Sequence, residues 1–116
     1  MKFTDDVRKV IQSRAKDRCE ICGSLALYHQ IHHRRPRGMG GSKDPVVGSA
    51  ANGIWVHPHC HSKIESERER ARENGWLVPQ ALDPSKVPFK KYNGWVMLNE
   101  DGTYTMVKSP DNLGGE

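Results

Sequence analysis

Four residues in two short pairs have the types and the spacing of a metal site. Cys19 and Cys22 are separated by two residues, and His57 and Cys60 repeat that spacing. Two ligands placed in this way on a turn can point at one ion together, so each pair supplies half of a tetrahedron. We expect these four side chains to bind a structural zinc ion, with His59 as an alternative to His57 in the fourth position.

A second group of polar residues has the types needed for metal-assisted hydrolysis. His32 and His33 are adjacent, Asn52 follows further along, and His61 comes directly after the last cysteine. Adjacent side chains on a strand point to opposite faces, so one histidine can bind a metal ion while the other contacts a water molecule or a substrate. Arginines beside this pair can contact phosphate groups, and they are Arg34, Arg35 and Arg37.

The first half of the chain contains the elements that would position these groups. Thr4 is a typical N-cap for a helix over residues 5 to about 17, which would end just before Cys19. Residues 25–33 and 54–56 have strand character. The glycine-rich segment between them, residues 36–51, is expected to be a loop.

The second half begins with a charged helix and ends with a predicted hairpin. The helix is expected to start at His61 or Ser62 and to end at Asn74-Gly75, a typical C-cap. Its alternating charges are those of a solvated helix face. After an extended, proline-containing segment over 78–87, two apolar runs at 95–98 and 104–107 flank turn residues, which predicts a β-hairpin.

The composition favours one small domain that needs a metal ion for stability. The chain has 116 residues, of which 35% are hydrophobic, so its apolar core is small. Its three cysteines argue against a closed disulfide framework and for a reducing cytoplasm. A thioredoxin-like redox role for the first cysteine pair would leave the second pair unexplained. No apolar run suits a signal peptide or a membrane span, and the net charge of +4 suits a polyanionic partner.

The combined pattern resembles the HNH endonuclease family over residues 19 to about 70. The combination is much more specific than any single part, and it is similar in particular to the compact HNH proteins of tailed bacteriophages and their hosts. The matching stretches are the Cys19/Cys22 turn, His32-His33-Arg34-Arg35-Pro36, the glycine loop Gly38-Met39-Gly40-Gly41-Ser42, Asn52-Gly53-Ile54-Trp55-Val56 and His57-Pro58-His59-Cys60-His61.

The resemblance implies an α+β fold with a ββα-metal, treble-clef-like core stapled by the structural zinc. The N-terminal helix and the C-terminal hairpin would be added to that core. We expect a single domain over 1–108, with its core at about 19–74, an extension with the hairpin at about 94–108, and a flexible tail over 109–116.

The resemblance also implies a role for each residue of the second group. His33 would be the general base, His32 and His61 would bind the catalytic metal, and Asn52 would brace the loop and orient His33. Glu65, on the helix after His61, is a candidate third metal ligand. Many zinc-bearing members of the family have cysteine where this chain has His57.

The implied activity is metal-dependent hydrolysis of DNA that leaves 5′-phosphate and 3′-hydroxyl ends. The catalytic ion would be Mg2+, Mn2+, Ni2+, Co2+ or Zn2+, which nitrogen and oxygen ligands accept. The resemblance further implies a cytoplasmic protein of a bacterial host, phage-encoded and acting in phage DNA packaging or processing, with terminase as a partner. The alternatives are a zinc-stapled module that binds DNA without cutting it and an accessory subunit of a phage terminase.

Overall fold

Helices alternate with two small antiparallel sheets in the computed structural model, which describes residues 3–25, 28–36 and 45–110. The α+β class expected from the sequence is therefore confirmed. In chain order the elements are α1 (Asp5–Ala15), β1 (Gln30–His33), β2 (Gly53–Val56), α2 (Pro58–Ser66), α3 (Arg68–Glu73), β3 (Phe89–Lys91), β4 (Gly94–Leu98) and β5 (Tyr104–Met106), with short 3-10 helices at Pro45–Gly48, Ala50–Asn52 and Pro84–Lys86.

Strand β1 pairs antiparallel with β2, and α2 follows β2 almost directly. The register aligns Gln30 with Val56 and His32 with Ile54. The inner residues of β2 are fully buried, and Ile54 packs in the main core with Ile64 of α2. The two strands and the helix therefore form one packed unit around the histidine pair.

Helix α1 starts as expected but ends earlier. The Thr4 side chain caps it by accepting a hydrogen bond from the Val7 N–H at 3.2 Å. The helix stops at Ala15 because Lys16 and Asp17 adopt left-handed conformations, with φ of 55° and 63°. This left-handed turn ends the predicted helix two residues early and directs the chain towards Cys19.

The charged helix begins earlier than the sequence analysis predicted and is broken in two. Pro58 occupies its first turn, and His57 is its N-cap, with a ring nitrogen that accepts a hydrogen bond from the His59 N–H at 3.2 Å. The predicted start at His61 or Ser62 is therefore wrong, and His61 lies inside the first turns of α2. Glu67 separates α2 from α3 with a non-helical ψ of 60°.

The C-terminal part is a three-stranded antiparallel sheet in the order β3-β4-β5. Strands β4 and β5 pair across residues 99–103, where the sequence predicts a hairpin. Strand β3 was not predicted, and it pairs with β4 through Phe89 and Val96. Both residues are buried in the core that also contains Ile54, so this sheet packs against the β1–β2–α2 unit.

A buried ion pair connects three parts of the chain. Arg14 of α1 donates two hydrogen bonds to the Glu20 carboxylate, at 2.8 and 2.7 Å, and Glu20 is fully buried. The Tyr104 hydroxyl of β5 donates to the same carboxylate. Burial and the charge of Glu20 raise the pKa of Tyr104. The Trp55 N–H of β2 also donates to this carboxylate, at 2.8 Å. The network therefore holds α1, the first cysteine pair and the C-terminal sheet to the β1–β2–α2 unit by more than apolar contact.

No helix in the described ranges 3–25, 28–36 and 45–110 is long and apolar enough to cross a membrane. Most of the tail predicted at 109–116 lies outside the described residues, and so do Arg37, Gly38, Gly40 and Gly41.

Candidate active site and metal centres

Three of the four predicted zinc ligands lie together. The sulfur atoms of Cys19, Cys22 and Cys60 are within 4.8 Å of one another. Gly23, with φ of 79°, closes the turn after the first pair, and its N–H bonds the Cys19 carbonyl at 2.8 Å. Cys60 comes from the first turn of α2. Three clustered thiols are the soft donors that zinc prefers, so the residues present fit a structural zinc ion.

The thiols of this cluster have unequal electrostatic surroundings. Burial and the neighbouring Cys19 raise the pKa of the Cys60 thiol. At Cys22 burial acts in the same direction, but hydrogen bonds with Ser24, Cys19 and Cys60 together outweigh it and lower the pKa of the thiol. A thiol must lose its proton to bind zinc, so zinc binding at this cluster would release protons.

The structure does not bring His57 into the cysteine cluster. Nδ1 of its ring accepts the hydrogen bond that caps α2. The ring centroids of His57 and His59 are 6.5 Å apart. Both histidines line a cavity of about 550 Å³ together with Cys22 and Cys60. The fourth position of the zinc site therefore remains a prediction, with both histidines close by.

A second cluster of residues that can bind a metal ion lies on the other side of α2. Ligand atoms of His32, His61 and Glu65 are within 4.8 Å of one another. His32 comes from β1, whereas His61 and Glu65 are one helical turn apart on α2. Strand β1 and helix α2 together position this set of two nitrogens and one carboxylate, which fits a divalent ion with open coordination positions.

His32 is held in its neutral form. It is 4% exposed, and burial lowers its pKa to about 4 against the opposing effect of a hydrogen bond to the Trp76 carbonyl. Electrostatic repulsion by Arg34, and by His61 and His33 in their protonated forms, lowers the pKa of His32 further. A neutral imidazole keeps a lone pair, so His32 can bind a metal ion throughout the neutral pH range.

His33 reaches the same cavity from the other face of β1. A cavity of about 330 Å³ is lined by His32, His33, His61 and Glu65. The His33 ring stacks on Phe3, with centroids 4.2 Å apart and planes inclined by 19°. The adjacent histidines thus have different surroundings and a common cavity, so a group bound at His32 can lie within reach of His33.

Asn52 fixes the backbone directly after the histidine pair. It is fully buried, and its side-chain oxygen accepts from the Arg35 N–H at 2.6 Å. Its side-chain N–H groups donate to the carbonyls of Arg35 at 3.1 Å and Val47 at 2.8 Å. Asn52 therefore holds the segment after β1 in place, and its role in orienting His33 stays a prediction.

The phosphate contact expected of Arg34 is wrong. Instead of facing a phosphate it is fully buried, and its guanidinium donates to the carbonyls of Gly75, Ala51, Pro84 and Val87 at 2.8 to 3.0 Å. Burial lowers its pKa to about 9. Arg34 therefore ties the end of β1 to the 3-10 helix before β2 and to the segments that follow α3, and it has no face left for DNA. Arg35 is only half-buried.

Two residues at the second cluster were missed by the sequence analysis. Arg68 lines the cavity and donates to the Glu65 carboxylate at 3.0 Å, although the alternating charges of this run indicate a solvated face. Gln30 has its side-chain oxygen 2.6 Å from Nδ1 of His61. The sequence contains a signal for each of them. Residues three apart on a helix are neighbours, as Glu65 and Arg68 are, and residues two apart on a strand share a face, as Gln30 and His32 do.

Residues 19–67 match the family model described as HNH endonuclease. The match covers less than half of the chain, and it contains both clusters and Asn52. No curated protein and no solved structure matches the chain significantly. An HNH endonuclease domain indicates nuclease activity on nucleic acid, and such domains use divalent metals.

Proposed function

We propose that this chain, which belongs to the HNH endonuclease family through residues 19–67, is a metal-dependent DNA endonuclease with His33 as its general base. One observation carries the proposal. His33 lines the same cavity as His32, His61 and Glu65, a set that fits a divalent ion. A general base and a metal site that share one cavity are the minimum required for hydrolysis of a phosphodiester.

In this proposal β1, β2 and α2 form the ββα-metal core, and His32, His61 and Glu65 hold the catalytic ion. When bound, the ion would neutralise charge on the phosphate and stabilise the leaving 3′ oxygen. The buried His32 contributes a neutral nitrogen, and the exposed Glu65 contributes the only negative charge of the set. The mixed donors accept Mg2+, Mn2+, Ni2+, Co2+ or Zn2+.

His33 takes the proton from the attacking water. An imidazole nitrogen with a free lone pair can accept a proton from water, which is the task of a general base. Phe3 holds one face of the ring, and Asn52 holds the backbone that follows it. Attack by water on phosphorus breaks the bond to the 3′ oxygen, which takes a proton from solvent, so the products carry 5′-phosphate and 3′-hydroxyl ends.

The DNA backbone lies across the mouth of the cavity in this proposal. Arg68 is at the cavity and about half-exposed, so it can donate to a phosphate next to the one that is cut. Arg35 and Arg37 are the remaining proposed phosphate contacts. The net charge of +4 favours association with a polyanion. The role in phage DNA packaging, with terminase as a partner, rests on the resemblance alone.

The cysteine cluster has a structural role in this proposal. Cys19, Cys22 and Cys60 would hold zinc with His57 as the fourth ligand. The cluster joins the turn after α1 to the first turn of α2. Zinc bound there stabilises the helix that carries His61 and Glu65, and so it supports the catalytic centre without taking part in the reaction.

The test is cleavage of supercoiled plasmid by the wild type and by His33→Ala in a series of divalent metals. Bound zinc is measured in parallel to show that both proteins are folded. The matched control is His29→Ala, because His29 precedes β1 and stacks on Trp55, away from the cavity. We expect the wild type and His29→Ala to cut and His33→Ala not to cut. Cleavage by His33→Ala at the wild-type rate would reject the mechanism.

If neither the wild type nor His29→Ala cuts while both retain zinc and bind DNA, the non-catalytic binding module takes the place of the endonuclease. That outcome separates the two functions, because the binding module requires the zinc cluster but not His33.

A further inference from the structure

The two histidines of the catalytic metal set are each bonded to an oxygen atom through one ring nitrogen. Nε2 of His32 is 2.9 Å from the Trp76 carbonyl, and Nδ1 of His61 is 2.6 Å from the Gln30 side-chain oxygen. The rings meet edge to face, with centroids 5.0 Å apart and planes inclined by 65°. The hydrogen bond therefore involves Nε2 in His32 and Nδ1 in His61.

These bonds decide which nitrogen of each neutral ring carries the proton. A carbonyl oxygen only accepts, so the bonded nitrogen must be the N–H donor. His32 is then protonated on Nε2 and His61 on Nδ1. The lone pairs that remain for a metal ion are on Nδ1 of His32 and Nε2 of His61. Hydrogen bonds of this kind fix the tautomer of metal-binding histidines.

The strand geometry explains how Gln30 comes to support a residue on a helix. Side chains two positions apart on a strand point to the same face, so Gln30 and His32 lie side by side on β1. Helix α2 packs over that face and brings His61 to both of them. One strand therefore supplies a ligand and the partner of a second ligand.

We propose that Gln30 is a positioning residue that holds His61 in the Nδ1–H tautomer and thereby presents its Nε2 to the catalytic metal. This inference rests on the proposed function, because it assigns His61 to the metal site. The Trp76 carbonyl has the corresponding role for His32. Because this carbonyl belongs to the backbone, a side-chain substitution does not remove it. Gln30 is therefore the partner that can be tested by mutation.

The experiment compares the zinc-loaded wild type with Gln30→Ala and Gln30→Glu. The matched control is Gln12→Ala. Gln12 is exposed on α1, and its side chain donates a hydrogen bond to Asp17 instead of to a histidine. Long-range ¹H–¹⁵N correlation spectra report the tautomer of His61. Calorimetric titration with Mn2+ reports the affinity of the catalytic site.

We expect the wild type and Gln12→Ala to show His61 as the Nδ1–H tautomer. In Gln30→Ala we expect a shift towards the Nε2–H tautomer and a loss of Mn2+ affinity of about 10- to 100-fold, the usual effect of removing an outer partner of a metal-binding histidine. Gln30→Glu should keep the tautomer and the affinity, because its carboxylate also accepts the hydrogen bond.

The proposal is overturned if His61 of the wild type is the Nε2–H tautomer, or if Gln30→Ala retains either the tautomer or the Mn2+ affinity of the wild type. Failure of the proposed function has a different signature. In that case His61 shows the expected tautomers and Mn2+ binds as described, but His33→Ala cuts DNA as well as the wild type does.

Discussion

The imidazole of His33 stacks on the phenyl ring of Phe3, with 4.2 Å between the centroids. Phe3 precedes α1 and therefore lies outside the matched family segment. It is 8% exposed and belongs to a small core cluster with Ile11 and Ala50. The N-terminal segment thus contacts the proposed general base directly, in addition to packing against the β1–β2 pair.

Phe3→Leu is expected to slow DNA cleavage without weakening DNA binding. Leucine keeps most of the apolar contact but loses the ring stack, which is worth about 0.5–1.5 kcal/mol. We expect kcat to fall about 2- to 10-fold with KM unchanged, as the orientation of His33 becomes less defined. Phe89→Leu, in the core away from the cavity, should lower the melting temperature but leave kcat unchanged. Equal kcat values for Phe3→Leu and the wild type would contradict the role of the stack.

Arg34→Ala is expected to unfold the protein rather than to weaken DNA binding. The buried guanidinium donates to four carbonyls, and its removal leaves these acceptors unpaired. We expect the free energy of unfolding in urea to fall by about 3 kcal/mol or more. Arg72→Ala, on the exposed face of α3, should change it by less than about 0.5 kcal/mol. A stable Arg34→Ala variant with reduced DNA affinity would restore the original prediction for this residue.

The contrast between the ligand pairs and Arg34 shows what local sequence can predict. Cys19 and Cys22 share one turn, so their spacing alone indicates a joint ligand pair. The partners of Arg34 lie 17 to 53 residues away, in segments whose approach depends on the whole fold. An arginine in a basic run has the same local sequence when it is solvated and when it is buried. Its burial was therefore not predictable from the pattern around it.

The early start of α2 is a different kind of error, because the signal was present. Pro58 suits the first turn of a helix, and the residue before it can be the cap. Strand β3 had no comparable signal, since Phe89-Lys90-Lys91 is too short to show alternation. Pairing with β4 and burial of Phe89 stabilise it, and both are tertiary contacts.

Arg68→Ala is expected to separate metal binding from DNA cleavage. In the structure Arg68 donates to Glu65, a proposed metal ligand. Loss of this exposed ion pair, worth about 0.2–1 kcal/mol, should raise the Mn2+ affinity by up to about fivefold. Loss of the phosphate contact should lower kcat/KM for DNA about tenfold.

Arg70→Ala is the matched control for this prediction. Arg70 makes the same three-residue ion pair with Glu67 at 3.4 Å, but it lines the cavity beside the cysteine cluster. We expect both the Mn2+ affinity and kcat/KM to stay at wild-type values. If both arginine variants lose activity to the same extent, the effect is one of general charge and not of position at the active site.

The fourth zinc ligand is tested by three substitutions that separate capping from metal binding. His57→Asn keeps a side chain able to cap α2 but lacks the imidazole, so we expect zinc affinity to fall more than about 100-fold, beyond the effect of losing an outer partner. His57→Cys should retain tight binding, because a thiolate is an equivalent ligand. His59→Ala should bind zinc as the wild type does.

Competition with a chromophoric chelator measures the zinc affinity of these variants, and circular dichroism should show unfolding as zinc is removed. Loss of zinc by His59→Ala, with retention by His57→Asn, would assign the fourth position to His59.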